Sequence, residues 1–342
     1  MLVLGIETSC DDTSVAIVEN GNKIIVNLIA SQEKLHKKYG GVVPEVASRR
    51  HTEVINILIK EAFEKACLKY NDINAVAVTY GPGLIGSLLV GLSAAKAFSF
   101  ALDIPLIAVN HLEGHIYSNF IGENIPKWPL ICLIVSGGHS EIIYMKGHGE
   151  YEILGRTRDD AAGEAFDKIA RYLGIGYPGG PIIDKMSKDG DPKKIKFPRP
   201  ILRDGYDCSF SGLKTALVNW YNGLKVVSVN PQKITKELKN NVPDIVASFQ
   251  EAIVEVLTEK TIKAAIHKKV KAIMLSGGVS ANSRLRNIIK EKAEKSKLKI
   301  YMPEISLCTD NAAMIACAGY YKYKREKKSD IDIKAESCLA LK

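Results

Sequence analysis

The order of predicted secondary-structure elements repeats along the chain, and this repeat limits the possible folds more than any other feature. Three short β-rich runs at residues 2–7, 13–19 and 23–30 are separated by turn residues. They are followed by a helical pattern from about residue 48 to 70, a strand, a long helix from about residue 84, a strand and a short helix. The predicted order is β-β-β-α-β-α-β-α.

The same order begins again near Pro129, where "PLICLIVSGGHSEIIYMKG" is typical of a strand, a Gly-Gly turn and a second strand. A third strand, a helix, a long helix over 242–270 and further alternating elements follow. The sequence therefore predicts two α/β domains that, facing each other, would form a cleft. We expect residues 1–130 with about 311–342 to form one domain, and 131–310 the other, with a loop-rich insertion at about 175–212.

Composition narrows the class of protein. The seven cysteines are scattered without a CxxC pair, which indicates reduced thiols and neither a disulfide framework nor a zinc knuckle. The net charge of +9 is either an ordinary basic excess or the mark of a polyanionic partner such as nucleic acid. No signal peptide is readable, and the most apolar stretch contains Lys96 and several serines, so we expect a cytoplasmic protein without a membrane span.

Three turns at equivalent strand ends are candidates for phosphate binding. They are "GIETSCDDTSVAIV", "IVSGGHSEIIY" and "LSGGVSANSRLR". Glycines let backbone N–H groups approach phosphate oxygens, and the start of a following helix adds a favourable dipole. None of the three matches the P-loop or the GxGxxG dinucleotide pattern. Their symmetric placement favours a nucleotide or acyl-phosphate ligand.

A pair of histidines, His111 and His115, lies four residues apart in "NHLEGHIYS", so both face the same side of a helix and could hold a cation. Glu113 comes one residue too late for the HExxH signature of zinc proteases and should point away from the histidines. A capping or surface role for the pair remains the alternative.

Ten segments, taken together, resemble the TsaD family of bacterial-type tRNA N6-adenosine threonylcarbamoyltransferases. They are "GIETSCDDTSVAIV", "YGGVVPEVASRRH", "TYGPGLIGSLLVG", "HLEGH", "LIVSGGHS", "DDAAGEAFDKIA", "YPGGPIID", "SFSGLKT", "SGGVSANSRLR" and "CTDNAAMIA". The resemblance implies a duplicated two-domain fold similar to actin, Hsp70 and sugar kinases (ribonuclease H-like), with a central nucleotide cleft. It carries no information about the tail after about residue 320.

The resemblance also implies an activity. A threonylcarbamoyl group would pass from threonylcarbamoyl-AMP to the exocyclic amine of the adenosine 3′ of the anticodon, in tRNAs reading ANN codons, with release of AMP. Asp310 would complete a metal site with His111 and His115, and this donor set suits Fe(II), with Zn as an alternative. The implied partners besides tRNA are a paralogous inactive protein, TsaB, and a small ATPase, TsaE.

The remaining site residues follow by position in the matching motifs. The backbone of the second glycine turn would hold the polar end of the ATP- or AMP-type nucleotide, and four further residues would contact its ribose and base. The residues are Ile134, Val135, Ser136, Gly137 and Gly138, then Asp167, Gly180, Asp184 and Asn282. Taken alone, these last residues are as readily explained by a solvated helix position for Asp167, a turn for Gly180 and a helix N-cap for Asn282.

Asp11 is the candidate catalytic residue, although the side chains of Asp11 and Asp12 could equally accept hydrogen bonds from the backbone of the turn. Basic clusters at 33–41, 48–51 and 191–200 are candidates for tRNA phosphate contact, or else solvated faces. Three other functions compete with the transferase. A small-molecule kinase would share the cleft, a zinc metallopeptidase would need HExxH, and an Hsp70-like scaffold would need a peptide-binding domain that the sequence lacks.

Overall fold

The computed structural model describes residues 1–200, 205–227 and 231–341, so residues 201–204 of the predicted insertion lie outside the described residues. The described part forms ten β-strands. They are β1 (Leu2–Glu7), β2 (Asp12–Glu19), β3 (Lys23–Ser31), β4 (Ala75–Gly81), β5 (Leu106–Asn110), β6 (Leu130–Val135), β7 (Ser140–Gly147), β8 (Glu150–Arg156), β9 (Ala272–Ser276) and β10 (Lys299–Tyr301).

The same residues form ten α-helices. They are α1 (Glu33–His36), α2 (Pro44–Ala66), α3 (Ile85–Leu102), α4 (His111–Tyr117), α5 (Ala162–Leu173), α6 (Gly179–Met186), α7 (Ser211–Val227), α8 (Pro231–His267), α9 (Ser283–Lys295) and α10 (Ala312–Glu326).

The strands form two five-stranded sheets with the same internal order, β3-β2-β1-β4-β5 and, in the equivalent direction, β8-β7-β6-β9-β10. In the first sheet β1 pairs antiparallel with β2 and parallel with β4, and β4 pairs parallel with β5. In the second sheet β6 pairs parallel with β9. The duplicated element order predicted from the sequence is therefore confirmed.

The chain divides into two compact units. Unit 1 comprises Met1–Trp128, Met145–Tyr151 and Tyr301–Lys342, and unit 2 comprises Pro129–Tyr144 and Glu152–Ile300. These ranges differ from the expected domains in placing residues 145–151 and 301–310 with unit 1.

In unit 1 the sheet carries helices on both faces. Alternate side chains of β1, Leu4 and Ile6, lie in a buried cluster with residues of α2 and α3. On the opposite face, Gly5 lies against the backbone of α10 at Ala312. Among the described residues, α3 is the one helix long and apolar enough to cross a membrane, and a third of its residues are buried within the protein.

Several helices differ from the sequence-based predictions. Helix α2 begins earlier than predicted because Pro44 suits the first helical position, and α8 begins earlier, at Pro231. Helices α1, α6 and α7 were not predicted. The insertion was predicted to be loop-rich, and α6 lies within it. Its start is stabilised by a tertiary hydrogen bond from Gly179 N–H to Asp167, which local sequence patterns do not reveal.

Candidate functional site

The candidate metal centre of unit 1 is built at the carboxyl ends of parallel strands. β1 ends at Glu7, and β5 ends at Asn110, directly before α4 begins with His111. The Asn110 side chain caps α4 by accepting a hydrogen bond from Leu112 N–H at 2.9 Å. Because parallel strands end at one edge of the sheet, these residues meet although they are about one hundred positions apart.

The structure brings His111, His115 and Asp310 together, with one potential ligand atom from each within 4.8 Å of the others. His111 Nε2 lies 3.5 Å and His115 Nε2 lies 3.3 Å from Asp310 Oδ1. Two ligands that each lie about 2.1 Å from one tetrahedral ion are about 3.4 Å apart. The spacing therefore fits a single small cation bound by two imidazoles and a carboxylate.

Glu7 orients His111. Nδ1 of His111 lies 3.1 Å from Glu7 Oε2 and 3.0 Å from Ser9 Oγ, and Glu7 is also held by hydrogen bonds from Thr79 Oγ1 and Ser9 N–H. A proton on Nδ1 can be donated to the carboxylate, which leaves the lone pair of Nε2 directed toward Asp310 and His115. Metal-binding histidines commonly have such a carboxylate partner.

Two carboxylates surround His111. Burial alone lowers the pKa of His111, but Asp310 and Glu7 more than compensate and raise it to about 9. Burial raises the pKa of Asp310, but the neighbouring His111 and His115 lower it by more. The net pKa of Asp310 therefore lies below its usual range. The site therefore favours positive charge, as a divalent cation requires.

His115 is the clearest sign that the site accommodates a metal. Its side chain is 1% exposed, its Nδ1 has no hydrogen-bonding partner among the described residues, and its Nε2 lies 3.3 Å from Asp310 Oδ1. A buried imidazole with so little hydrogen bonding is costly unless something else satisfies it. Gly114 makes the arrangement possible, because an added Cβ would lie 2.6 Å from Ile315 Cδ1 and push α4 away from α10.

Glu113 points away from the histidines, as helix geometry predicts. It is buried, and its Oε1 accepts a hydrogen bond from Tyr151 OH at 2.8 Å. It is therefore not placed to activate a metal-bound water, and the geometry does not support the protease alternative.

Asp11 lies in the turn between β1 and β2 and is not part of the group of metal-ligand atoms. The adjacent Asp12 is partly buried, and its Oδ1 has no hydrogen-bonding partner among the described residues. Burial is the main reason that the pKa of Asp12 rises to about 6, and the nearby Asp11 and Asp310 add to the effect. His51 of α2 fixes this turn through Cys10 O and Thr13 Oγ1.

In unit 2 the second glycine turn follows β6, which ends with the predicted site residues Ile134 and Val135. Ser136 to Gly138 form the turn, and Ser136 O accepts a hydrogen bond from Gly163 N–H at the start of α5. The N–H groups of Gly137 and Gly138 make no hydrogen bond within the described ranges, and a Cβ added at either would meet nothing within 4 Å. The turn thus offers free donors and open space.

Asp167 and Gly180 are brought together by the start of α6. Asp167 Oδ1 accepts a hydrogen bond from Gly179 N–H at 2.7 Å. Burial raises the pKa of Asp167, and hydrogen bonds from the Gly179 and Gly180 backbone partly offset that rise. A Cβ added at Gly180 would meet nothing within 4 Å, so this position is open as well.

Asp184 and Asn282 connect α6 to the start of α9. Asp184 Oδ1 accepts hydrogen bonds from the N–H and hydroxyl of Ser283, and Asp184 lines a pocket of about 520 Å³ in unit 2. Asn282 is the N-cap of α9, with Oδ1 bonded to Leu285 N–H and Nδ2 to Gln250. The N-cap interpretation of Asn282 is thus confirmed.

Comparison with known proteins decides the family. The family model of TsaD, tRNA N6-adenosine threonylcarbamoyltransferase, matches residues 23–317. The chain belongs to the TsaD family. It is 52% identical over 340 residues to the tRNA N6-adenosine threonylcarbamoyltransferase of Symbiobacterium thermophilum, covering 99% of this chain and 97% of that protein. The enzyme of the same name from Clostridioides difficile is 51% identical, covering 98% and 97%.

Solved structures agree with the fold predicted for this TsaD chain. HypF from T. kodakarensis has a TM-score of 0.62 at 15% identity, covering 94% of this chain and 48% of that one. Component A of (R)-2-hydroxyglutaryl-CoA dehydratase from Acidaminococcus fermentans has a TM-score of 0.54 at 16% identity, covering 96% and 100%. At such identities the likeness supports the duplicated two-domain α/β fold alone. The predicted family and fold class are confirmed.

Three residues of the candidate metal centre were not predicted as site residues, namely Glu7, Ser9 and Thr79. Glu7 and Ser9 lie within the first phosphate-turn motif, and Glu7 is the last residue of β1. A carboxylate at the carboxyl end of a parallel strand was the available signal. Thr79 offered none, since its contact with Glu7 spans 72 residues.

Proposed function

We propose that the chain transfers the threonylcarbamoyl group of threonylcarbamoyl-AMP to N6 of the adenosine 3′ of the anticodon, in tRNAs reading ANN codons. Family membership supports the transferase class, and the observation that carries the site is the pair of buried histidines His111 and His115 facing the partly exposed Asp310, with Glu7 behind His111. The proposed location is the cytoplasm.

The group is proposed to hold one divalent metal per chain, Fe(II) first and Zn second, because two imidazoles and one carboxylate leave coordination positions open. When bound, such an ion supplies Lewis acidity that stabilises charge developing on phosphate or carbamoyl oxygens. The protein itself contributes a fixed orientation of His111 through Glu7, and an imidazole of His115 whose Nε2 faces Asp310 at 3.3 Å.

Unit 2 is proposed to hold the ATP- or AMP-type nucleotide. The free N–H groups of Gly137 and Gly138 suit phosphate or carbamoyl oxygens, and the open positions at these glycines leave room for them. Asp167 would accept a ribose hydroxyl near Gly180, with Ile134, Val135 and Ser136 shaping the turn. Asp184 and Asn282 would support the adenosine end from α6 and α9.

In the transfer, N6 of adenosine forms a bond to the carbamoyl carbon and loses one proton. The bond between that carbon and the phosphate oxygen breaks, and its electron pair leaves with AMP. Asp11 remains the candidate catalytic residue, in the turn directly before the partly buried Asp12. Since the adenylate is already activated, orientation supplies much of the rate enhancement.

The test is mass spectrometry of tRNA nucleosides after incubation with threonine, bicarbonate, ATP and a source of the adenylate. We expect threonylcarbamoyladenosine with the wild-type protein and loss of it with His111→Ala/His115→Ala. Metal analysis of anaerobically purified protein should give about one ion per chain, and the double variant should have lost it. Absence of the modified nucleoside, even with partner proteins present, would refute the proposed function.

A basic surface in unit 1 is proposed to contact tRNA. The predicted basic clusters 33–41 and 48–51 lie next to each other. Two hydrogen bonds join the segments that carry them, from Val43 N–H to His36 and from the Gln32 side chain to Ala47 O. The basic surface consists of the exposed residues Lys34, Lys37, Lys38 and Arg49. Arg50, by contrast, forms an ion pair with Glu53 at 2.7 Å.

For this surface, each lost phosphate contact should reduce the salt dependence of tRNA binding by about one unit of logarithmic slope. Lys37→Ala/Arg49→Ala should therefore weaken binding most at low salt. Arg50→Ala is the matched control, because its charge is already paired. Equal effects of both variants would count against the basic surface.

The third cluster, at 191–200, is a weaker candidate. Its Arg199 forms an ion pair with Glu255 at 2.8 Å, although Lys193, Lys194 and Lys196 are exposed.

A protein partner is proposed to cover α3, in keeping with the expected TsaB-like paralogue, with a TsaE-like ATPase joining the assembly. Ile85, Leu89 and Phe100 lie on one helix face and are 50%, 50% and 84% exposed. Exposed apolar faces of this kind mark interaction sites. Leu89→Arg should abolish co-purification with the paralogue. Ile266→Arg, at an exposed apolar residue of unit 2, should not.

A further inference from the structure

The helix that carries both histidines is too short to fix their orientation by itself. α4 has seven residues, and isolated helices of this length are not stable in water. Its direction and rotation must therefore be set by contacts with the rest of unit 1. Asn110 caps its first turn, and Gly114 allows close packing on α10.

The face of α4 opposite the histidines carries a second pair at the same spacing, Glu113 and Tyr117. Both are buried, and both bond to residues of the segment 145–151. Glu113 Oε1 accepts from Tyr151 OH at 2.8 Å, and Tyr117 OH lies 2.9 Å from His148 Nδ1. The rings of Tyr117 and His148 are also stacked, with centroids 5.6 Å apart.

α10 contributes to the same network. Arg325 Nη2 lies 4.0 Å from Glu113 Oε1, and the Tyr321 ring stacks on His148 at 4.3 Å. Gly149 has a positive φ of 75°, and a Cβ there would overlap the Arg325 guanidinium. The carboxylate of Glu113 is thus held by a hydroxyl and faced by a cation within an otherwise aromatic cluster.

We propose that Glu113 is a positioning residue of the metal centre, which acts by anchoring the rear face of α4 to Tyr151 so that His111 and His115 meet Asp310. If the anchor is lost, α4 can rotate about its axis, and a small rotation changes both Nε2 positions together. Among the described residues, the Glu113 side chain bonds to Tyr151 and not to His111, His115 or Asp310. The inference rests on the proposed metal site.

The experiment measures Co²⁺ binding to the purified full chain, by titration and by the absorption spectrum that reports coordination geometry. Tyr151→Phe removes only the hydroxyl, Glu113→Ala removes the acceptor, and Glu113→Gln keeps it. Tyr206→Phe is the matched control, because it removes a tyrosine hydroxyl bonded to His267 in unit 2. Melting temperature without metal is measured for every variant.

We expect Tyr151→Phe and Glu113→Ala to weaken Co²⁺ binding about tenfold and to alter the spectrum, an effect at the low end of that seen for outer residues of metal sites. The Co²⁺ affinity of Glu113→Gln should stay within about threefold of the wild-type affinity, and that of Tyr206→Phe should equal the wild-type affinity. If Glu113→Ala does not fold, Tyr151→Phe and Glu113→Gln decide the outcome.

Wild-type affinity and spectrum in Tyr151→Phe, with a lower melting temperature alone, would overturn the anchoring role and leave the metal site intact. Failure of the wild-type protein to bind Co²⁺ would overturn the metal site and the inference together.

Discussion

The substitution Glu7→Gln tests the metal centre with little change in shape. In the wild-type protein, the buried Glu7 carboxylate accepts hydrogen bonds from Ser9 N–H and Thr79 Oγ1, and it lies 3.1 Å from His111 Nδ1. A carboxylate accepts from all three groups, whereas an amide has one accepting oxygen and one donating NH₂ group.

The amide oxygen can keep the bond from Ser9 N–H, because the N–H cannot reverse its role. The NH₂ group then faces Thr79, whose hydroxyl can rotate to accept, and His111 Nδ1, which must also accept. The proton of neutral His111 consequently moves to Nε2, the nitrogen that points toward Asp310. A metal at Nε2 requires neutral His111 with its proton on Nδ1, the tautomer that the Glu7 carboxylate stabilises and the amide does not.

Loss of such a carboxylate partner typically weakens metal binding about 10- to 100-fold, which corresponds to roughly 1.4 to 2.7 kcal/mol. The substitution should lower folding stability by about 1 to 3 kcal/mol, because one buried group loses a favourable partner. Metal affinity and folding stability are measured separately, by calorimetric titration with Zn²⁺ and by urea unfolding of metal-free protein.

Glu141→Gln is the matched control. Glu141 is a largely buried carboxyl of β7 in unit 2, and burial raises its pKa. We expect this variant to bind Zn²⁺ as the wild-type protein does. If Glu7→Gln also binds Zn²⁺ with wild-type affinity, then Glu7 does not set the tautomer of His111 and the reasoning is wrong.

Two further predictions concern packing and pH. Gly114→Ala should separate α4 from α10 because of the 2.6 Å approach to Ile315, destabilising the protein by about 1 to 3 kcal/mol and weakening Zn²⁺ binding, as thermal unfolding and titration would reveal. The Asp159 carboxylate accepts hydrogen bonds from Ser209 and Ser211. Burial raises the pKa of Asp159, but these hydrogen bonds lower it by more, so the net pKa lies below its usual value. Its contribution to stability is therefore present above its unfolded pKa of about 3.9 and declines as pH falls below that value. The destabilisation by Asp159→Ala, measured by urea unfolding, should be smaller at pH 3 than at pH 7, and a constant difference would contradict this assignment.

The strands and long helices were predictable because their signals are local. Periodicity and turn residues lie within each element, and this was sufficient for β1, β2, β3 and the duplicated order. The helix α6 was missed because its Gly-Gly-Pro start has low helical propensity. What stabilises it is a hydrogen bond that Gly179 N–H donates to Asp167, twelve residues away, and such contacts leave no periodic pattern.

The two histidines were predictable for the same local reason, since a spacing of four places them on one helix face. Their environment was not. Glu7 reaches His111 across 104 residues, and only the folded sheet shows that the two meet. The position of Asp310 came from family resemblance, not from any property of the residues around it.

The two units share one strand order, yet the residues at the ends of their equivalent central strands differ in charge. β1 and β6 each have six residues, so Glu7 and Val135 occupy equivalent strand ends. In unit 1 the strand end carries a carboxylate that, with Asp310, favours a cation. In unit 2 the equivalent end carries no charge and is followed by Gly137 and Gly138, whose free N–H groups favour an anion. The shared strand order therefore does not determine the sign of the charge that a strand end would attract, whereas the few residues at and after that end do.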